Sequence, residues 1–285
     1  MSKKIFLQYR NCIFSDALFL IFFFGLIFFS CSKKNQNSNS VHENNSVQKK
    51  EVLKIATEFG YPPFEYLDHD GRTLIGFDVD MWNEICRRLD MTPVYEDVQW
   101  SGIFSALESK RFDCIISAVT ITEERKEKFL ITTPYVQNAE CFIVKADDKN
   151  QNAPFSENSR LINSPDKLNG LRVAYQAETV SDVYVSELLK NGISFEVFEY
   201  DKLMNAFDDL KYDRVDVVVA ESVAAKNLVK INPDVYRIDF TGEPDAYFGI
   251  LVNKDNTKLF ELIQSALDEM NADGTMKSFE DKWLK

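Results

Sequence analysis

The sequence predicts an α/β protein built as two lobes of similar plan, and three observations carry that expectation. Strand-like and helix-like segments alternate from Val52 onward, the pattern of βαβ units in which helices cover a mostly parallel sheet. The pattern then restarts. "LKIATEFGYPP" at 53–63 is echoed by "LRVAYQAETVS" at 171–181, and "FSALESKRFDCIISAV" at 104–119 by "MNAFDDLKYDRVDVVVAES" at 204–222. In the second pair a short helix runs through a basic residue and an aspartate, Asp113 or Asp216, into an apolar strand. Finally, 285 residues can hold two modest lobes, or one large domain with a leader.

The elements follow in order. Lys3, Lys4 and Arg10 precede an uncharged run from Ala17 to Cys31, short for a membrane span and suited to the apolar core of a secretory signal. Small Ser30 precedes Cys31, and an Asn/Ser-rich stretch without apolar periodicity follows it, the composition of a flexible tether. "VLKIAT" reads as a strand and "DHDGR" at 68–72 as a turn between short strands. Phe77, Met81, Trp82, Ile85, Cys86 and Leu89 recur at helical spacing. "TPVYEDV" is a strand, "GIFSALESK" a helix, and "FDCIISAV" a buried strand reaching residue 119. Thr122 can cap a helix that carries Glu123 and Glu124 in its first turn. The polar segment 147–170 is a surface excursion near the lobe junction. "TGEPDAYFGILV" crosses back to the first lobe, where helices at about 256–271 and 274–284 can pack.

Composition removes several function classes. Residues 51–285 carry 26 Lys/Arg against 43 Asp/Glu, a net of −17, which disfavours nucleic acid because phosphate binding depends on basic side chains. Only His42 and His69 are present, too few for a His-rich metal centre or a Ser-His-Asp hydrolase. The five cysteines show no C-x-x-C spacing, and Cys86 and Cys114 read as small core residues. In open α/β sheets ligands gather beyond the carboxyl ends of strands. Two facing lobes would therefore set "SAVT" opposite "AES" and "EFGYPPF" opposite "AETVS". Ser117, Thr120 and Arg125 then either end a strand among surface charges or converge on a small anion.

The pieces "YPPFEY", "GFDVDMWNEI", "WSGIFSALESKRFDCIISAVTITEER", "LNGLRVAYQAETV", "LKYDRVDVVVAESVAA" and "ADGTMKSFEDKW" cover nearly all of 51–285. Together they resemble the extracellular solute-binding proteins of ABC transporters for polar amino acids, solute-binding family 3. The leader resembles a bacterial lipoprotein signal, with residues 1–30 removed, lipid on Cys31 and a tether to residue 50. The family resemblance implies a two-lobed, type II periplasmic-binding-protein-like fold closing over one L-amino acid. Lobe 1 would comprise 51–138 and 244–285, and lobe 2 would be 139–243.

On that resemblance Arg125 forks onto the ligand α-carboxylate, which suits a planar guanidinium. Thr120, Ser117 and the backbone at Ala118 add contacts, and Thr179 opens a helix whose free N–H groups also favour a carboxylate. Glu221 accepts the α-ammonium, Tyr61 and Trp100 sandwich the side-chain stem, and Glu58 reaches its far end. The sequence departs from the family at several points. Glu221 and Glu58 stand where Asp is usual, Glu178 where Gly is usual, and Ala118 replaces a common Gly or Ser, a mild change if only backbone is used. Glu178 either points away or reshapes that corner; if it, Glu58 and Glu221 all face the cleft, three acids meet one Arg and a basic or amide side chain is favoured over an acidic one.

The implied partners are an inner-membrane permease, the membrane through the Cys31 anchor, and no nucleic acid. The expected state is a non-enzymatic monomer without cofactor or metal, on the periplasmic or cell-surface face of a bacterial membrane. Rival readings are a cyclohexadienyl or arogenate-type dehydratase on the same fold, with Glu178 or Glu221 as general acid, and a sensor or adhesin lipoprotein.

Overall fold

The computed structural model describes residues 50–146 and 161–285. The signal, Cys31, nearly all of the tether and part of the 147–170 excursion lie outside the described residues.

Alternating burial makes a strand of β1 (Glu51–Thr57), with Leu53 and Ile55 inward. A two-strand hairpin follows, β2 (Tyr66–Leu67) and β3 (Leu74–Ile75). Asp70 organises its turn by accepting from Arg72 N, Thr73 N and Thr73 Oγ1. Helix α1 (Phe77–Arg88) buries Phe77, Met81, Trp82, Ile85 and Cys86 along one face, as their spacing requires. It starts at Gly76, whose φ of 139° no side chain tolerates well and whose missing Cβ would lie 1.9 Å from the Phe64 carbonyl oxygen.

Strand β4 (Met91–Asp97) and helix α2 (Trp100–Glu108) come next. The helix starts at Trp100, two residues before "GIFSALESK", because Val98 and Trp100 are buried and the exposed Gln99 stands at its N-cap. The strand expected over "FDCIISAV" keeps only β5 (Cys114–Ile115) in the ladder. Residues 114–120 are all buried, yet Ala118 has φ 44°, and this left-handed bend takes the chain off the sheet. Thr122 caps α3 (Glu123–Lys128) by accepting from Arg125 N. The chain continues through β6 (Phe129–Ile131), β7 (Val136–Asn138), β8 (Glu140–Lys145), β9 (Arg172–Gln176) and α4 (Val180–Lys190). Then come β10 (Glu196–Tyr200), α5 (Leu203–Lys211), β11 (Val217–Glu221), α6 (Ser222–Ile231) and β12 (Tyr236–Thr241). Last are β13 (Ala246–Phe248), β14 (Leu251–Asn253), α7 (Thr257–Ala272) and α8 (Thr275–Trp283).

Two five-stranded sheets result, ordered β4-β1-β5-β14-β6 and β10-β9-β11-β8-β12. In each, the first three strands are parallel and the last two add on antiparallel. The sequence echo is an echo of bonding too. Asp113 accepts from Lys54 N and donates its own N–H to Lys54 O, and Asp216 does the same with Arg172. Each sheet carries an apolar layer on both faces, as buried parallel strands demand. The lobes are joined through β7 and β13, which pair antiparallel with Asn138 opposite Ala246 and Val136 opposite Phe248. The carboxyl ends of β1 and β9, the Ala118 bend and the end of β11 thus face one another.

Candidate ligand-binding cleft

Between those ends lies a cavity with about 320 Å³ of non-atom space, the open solvent at its mouth included. Glu58, Tyr61, Trp100, Ser117, Ala118, Thr120, Arg125, Thr179 and Glu221 all line it, so the residues singled out from sequence are brought together. Gln176 and Val180 line it as well and were not foreseen. Gln176 reads as an ordinary last strand residue. Its one signal is a polar side chain ending an apolar strand at a sheet's carboxyl edge.

Arg125 stands in the capped first turn of α3, and its N–H is held by the Thr122 hydroxyl. Its guanidinium lies over Phe104 at 4.7 Å and Trp100 at 5.5 Å, and Nη1 donates to Thr120 O at 2.7 Å. Among the described residues it forms no ion pair. Burial lowers its pKa, while the Glu221 charge acts to raise it.

Glu221 ends β11 and is buried. Tyr61 donates its hydroxyl to Oε2 at 2.5 Å and Thr120 donates to Oε1 at 2.6 Å, both from the opposite lobe. Such O–H···O⁻ bonds are short and strong. Burial nevertheless raises its pKa, with these two bonds and Arg125 opposing the shift. Glu140, paired beside Glu221 in the sheet, is pushed up to about 8 by burial and by the Glu221 charge.

At the other end, Glu58 is buried and accepts from Gln176 Nε2 at 2.8 Å, again across the lobes. Its pKa is raised by burial, against the bonds from Gln176 and Trp100 N. Ser117 accepts from Glu58 N and gives its hydroxyl hydrogen to Glu65, so only a lone pair is left toward the cavity. Thr179 caps α4 and donates its hydroxyl to Gln176 O, which leaves the leading N–H groups of the helix at the cavity wall.

The two departures at backbone positions resolve in different ways. Ala118 is not a mild change: at φ 44° it sits where glycine is at ease and alanine is strained. Glu178 also has a positive φ, 59°, yet its side chain is exposed and does not line the cavity. What Glu178 contributes is its carbonyl, which accepts from Trp100 Nε1 at 3.0 Å across the lobes. Trp100→Phe removes that bond and keeps an aromatic face, though a smaller one. It is expected to cost about 1 kcal/mol of closure, roughly fivefold in ligand affinity, measurable by titration calorimetry.

A guanidinium, a buried acid tied across two lobes and a second acid at the far end set opposite charges at separate places along the cavity. The family model for bacterial extracellular solute-binding proteins, family 3, matches residues 53–285. The chain belongs to that family. The L-cystine-binding protein TcyJ of Escherichia coli (strain K12) is 29% identical over 240 residues, spanning 84% of this chain and 85% of its own length. An ancestral arginine-binding protein bound to arginine superposes with a TM-score of 0.75 at 32% identity, over 83% of this chain and 99% of its own. The ancestral amino-acid-binding protein AncCDT-1, a precursor of cyclohexadienyl dehydratase, superposes with a TM-score of 0.72 at 27% identity, over 82% of this chain and 96% of its own. Among the described residues of this family 3 protein, no helix is long and apolar enough to cross a membrane.

Proposed function

We propose that the protein binds one polar L-amino acid, with a basic or amide side chain, in the inter-lobe cavity and presents it to the permease of an ABC transporter. The observation that carries this reading is the imbalance of charge in the cavity. Among the described residues Arg125 is the cation lining it and forms no ion pair, and it faces the buried acids Glu221 and Glu58. An α-carboxylate on Arg125 and an α-ammonium on Glu221 leave Glu58 and Gln176 for the end of the side chain. A guanidinium, ammonium or amide donates there, whereas a carboxylate would be repelled. The relative solved with arginine bound supports the same choice.

Ligand contacts drawn from both lobes favour closure, and a permease that recognises the closed form reads occupancy as shape. The protein acts as a monomer held by lipid on Cys31 at the periplasmic or cell-surface face of a bacterial membrane. It performs no catalysis, because the groups that could protonate a leaving group are those that hold the zwitterion.

The test is thermal shift of the purified protein against the twenty L-amino acids. A saturable rise with arginine, lysine or glutamine, absent with glutamate and aspartate, is expected. Preferential stabilisation by an acidic amino acid would overturn the side-chain assignment. A flat panel with turnover of prephenate or arogenate would replace binding by dehydration.

A further inference from the structure

Behind the cavity wall lie two carboxyl groups that ligand binding, as described so far, does not use. Glu65 closes the tight turn that carries Tyr61, through Tyr61 N to Glu65 O at 2.9 Å and Glu65 N to Tyr61 O at 3.2 Å. Asp78 stands in the first turn of α1. Each side chain is 1% exposed. Their outer oxygens grip consecutive residues of the cavity wall: Glu65 Oε1 accepts from Ser117 Oγ at 2.7 Å, and Asp78 Oδ2 accepts from Ala118 N at 2.8 Å. Asp78 Oδ2 also accepts from Tyr135 OH at 3.1 Å. Their inner oxygens, Glu65 Oε2 and Asp78 Oδ1, are buried and meet no donor. Asp78 N donates to Phe64 O at 3.0 Å, which sets Asp78 against the residue before Glu65, and each carboxyl bears on the other's titration. A single proton between them would satisfy both inner oxygens at once, and two bare carboxylates there would repel in a dry site.

We propose that Glu65 and Asp78 share one proton, and that the protonated pair is the positioning device that holds the Ser117–Ala118 bend against the ligand. The inference rests on the amino-acid-binding reading of the cavity.

The bend needs such a device. Ala118 occupies a left-handed conformation that an alanine leaves unless it is held, and the Asp78 bond falls on its own N–H. The groups facing the pair supply no counter-charge. They are Glu58 and Tyr61 from the loop after β1, Tyr95 from β4 with the Cys114 thiol of β5 beyond it, Tyr135 from the segment before β7, and Glu221 of β11 reached through Tyr61 and Tyr135. Among the described residues no lysine or arginine forms an ion pair with either acid. Burial first, and then the neighbouring carboxyl, raises the pKa of Glu65 well above the usual range; burial raises that of Asp78 as well. Because the native pKa values are raised, the folded protein holds a proton that the unfolded chain releases. The stability that the pair contributes is therefore lost as pH rises through its titration, and is not lost toward acid.

The test is the pH profile of binding, pH 6 to 9, by titration calorimetry with L-arginine on the full protein and on Glu65→Gln. The glutamine amide donates to Asp78 without titrating, and its carbonyl still accepts from Ser117. Each curve is normalised to its own value at pH 6, and the ligand's amino group titrates equally in both. Wild type is expected to weaken roughly tenfold per pH unit beyond the mutant once the pair deprotonates. Superimposable normalised curves would overturn the pair. Asp78→Asn carries the same comparison if Glu65→Gln does not fold. Failure of wild type to bind arginine or any other amino acid sinks the binding reading instead. The pair is then read in the melting temperature of the ligand-free protein, which should fall from pH 6 to 9 more steeply in wild type than in Glu65→Gln. Parallel melting profiles would reject it.

Discussion

Arg125→Ala is expected to weaken binding of the amino acid by about 2–5 kcal/mol, a loss of about 30-fold to several thousand-fold. The size follows from where the guanidinium sits. It is half-buried over Phe104 and Trp100 and held by Thr120 O, so its orientation is fixed before ligand arrives. Removing it leaves a carboxylate desolvated without a partner, in a cavity whose other charges are acidic. Arg125→Lys keeps the charge and loses both the fork and the aromatic stacking, so an intermediate loss is expected. Titration calorimetry reads both, with melting curves to show that the variants fold. A loss below about threefold for the alanine variant would remove Arg125 from the site.

Gly76→Ala is expected to destabilise the protein by about 3–5 kcal/mol. An added Cβ would fall 1.9 Å from Phe64 O and 2.9 Å from Glu65 N, both backbone atoms, at a φ of 139°. Relief would have to move the turn that carries Tyr61 and Glu65, so any folded fraction should also bind poorly. Gly71→Ala is the control. Its φ is also positive, 65°, but nothing lies within 4 Å, and a cost of about 1 kcal/mol is expected. Urea unfolding of the two variants separates the explanations, and equal midpoints would show that the close approach at Gly76 is accommodated.

Much of the fold was legible because its signals are local and repeated. The apolar face of α1, the Thr122 cap and the echo of Asp113 by Asp216 each depend on a few neighbouring residues. Arg125, Thr120 and Glu221 stood out as polar groups where apolar strands end, and the family pattern then gave them tasks. What escaped was set by distant neighbours. "FDCIISAV" reads as one strand, and only the bond from Ala118 N to Asp78, forty residues earlier, shows why the chain bends away after Ile115. Gln176 becomes notable only once Glu58 of the other lobe lies against it. Glu65 and Asp78 left a faint signal, one acid inside "PPFEY" and one on the buried face of a helix. Glu178 misled in the opposite direction. Its charge drew attention, while its carbonyl is the part that reaches the other lobe.

The pairing of β7 with β13 has a mechanical consequence. Two independent tethers would let one lobe slide, splay and twist against the other. Two tethers hydrogen-bonded along their length make a single ribbon, stiff against shear within its plane and compliant only in bending and torsion. Both ends of the ribbon are clamped. Tyr135 N bonds to Phe248 O at the first lobe, and the buried Asn138 accepts from Ser222 Oγ at the second. Relative motion of the lobes would thereby be confined close to one swinging coordinate, and closure on the proposed ligand would bring Arg125 on one leaf and Glu221 on the other together in a fixed register.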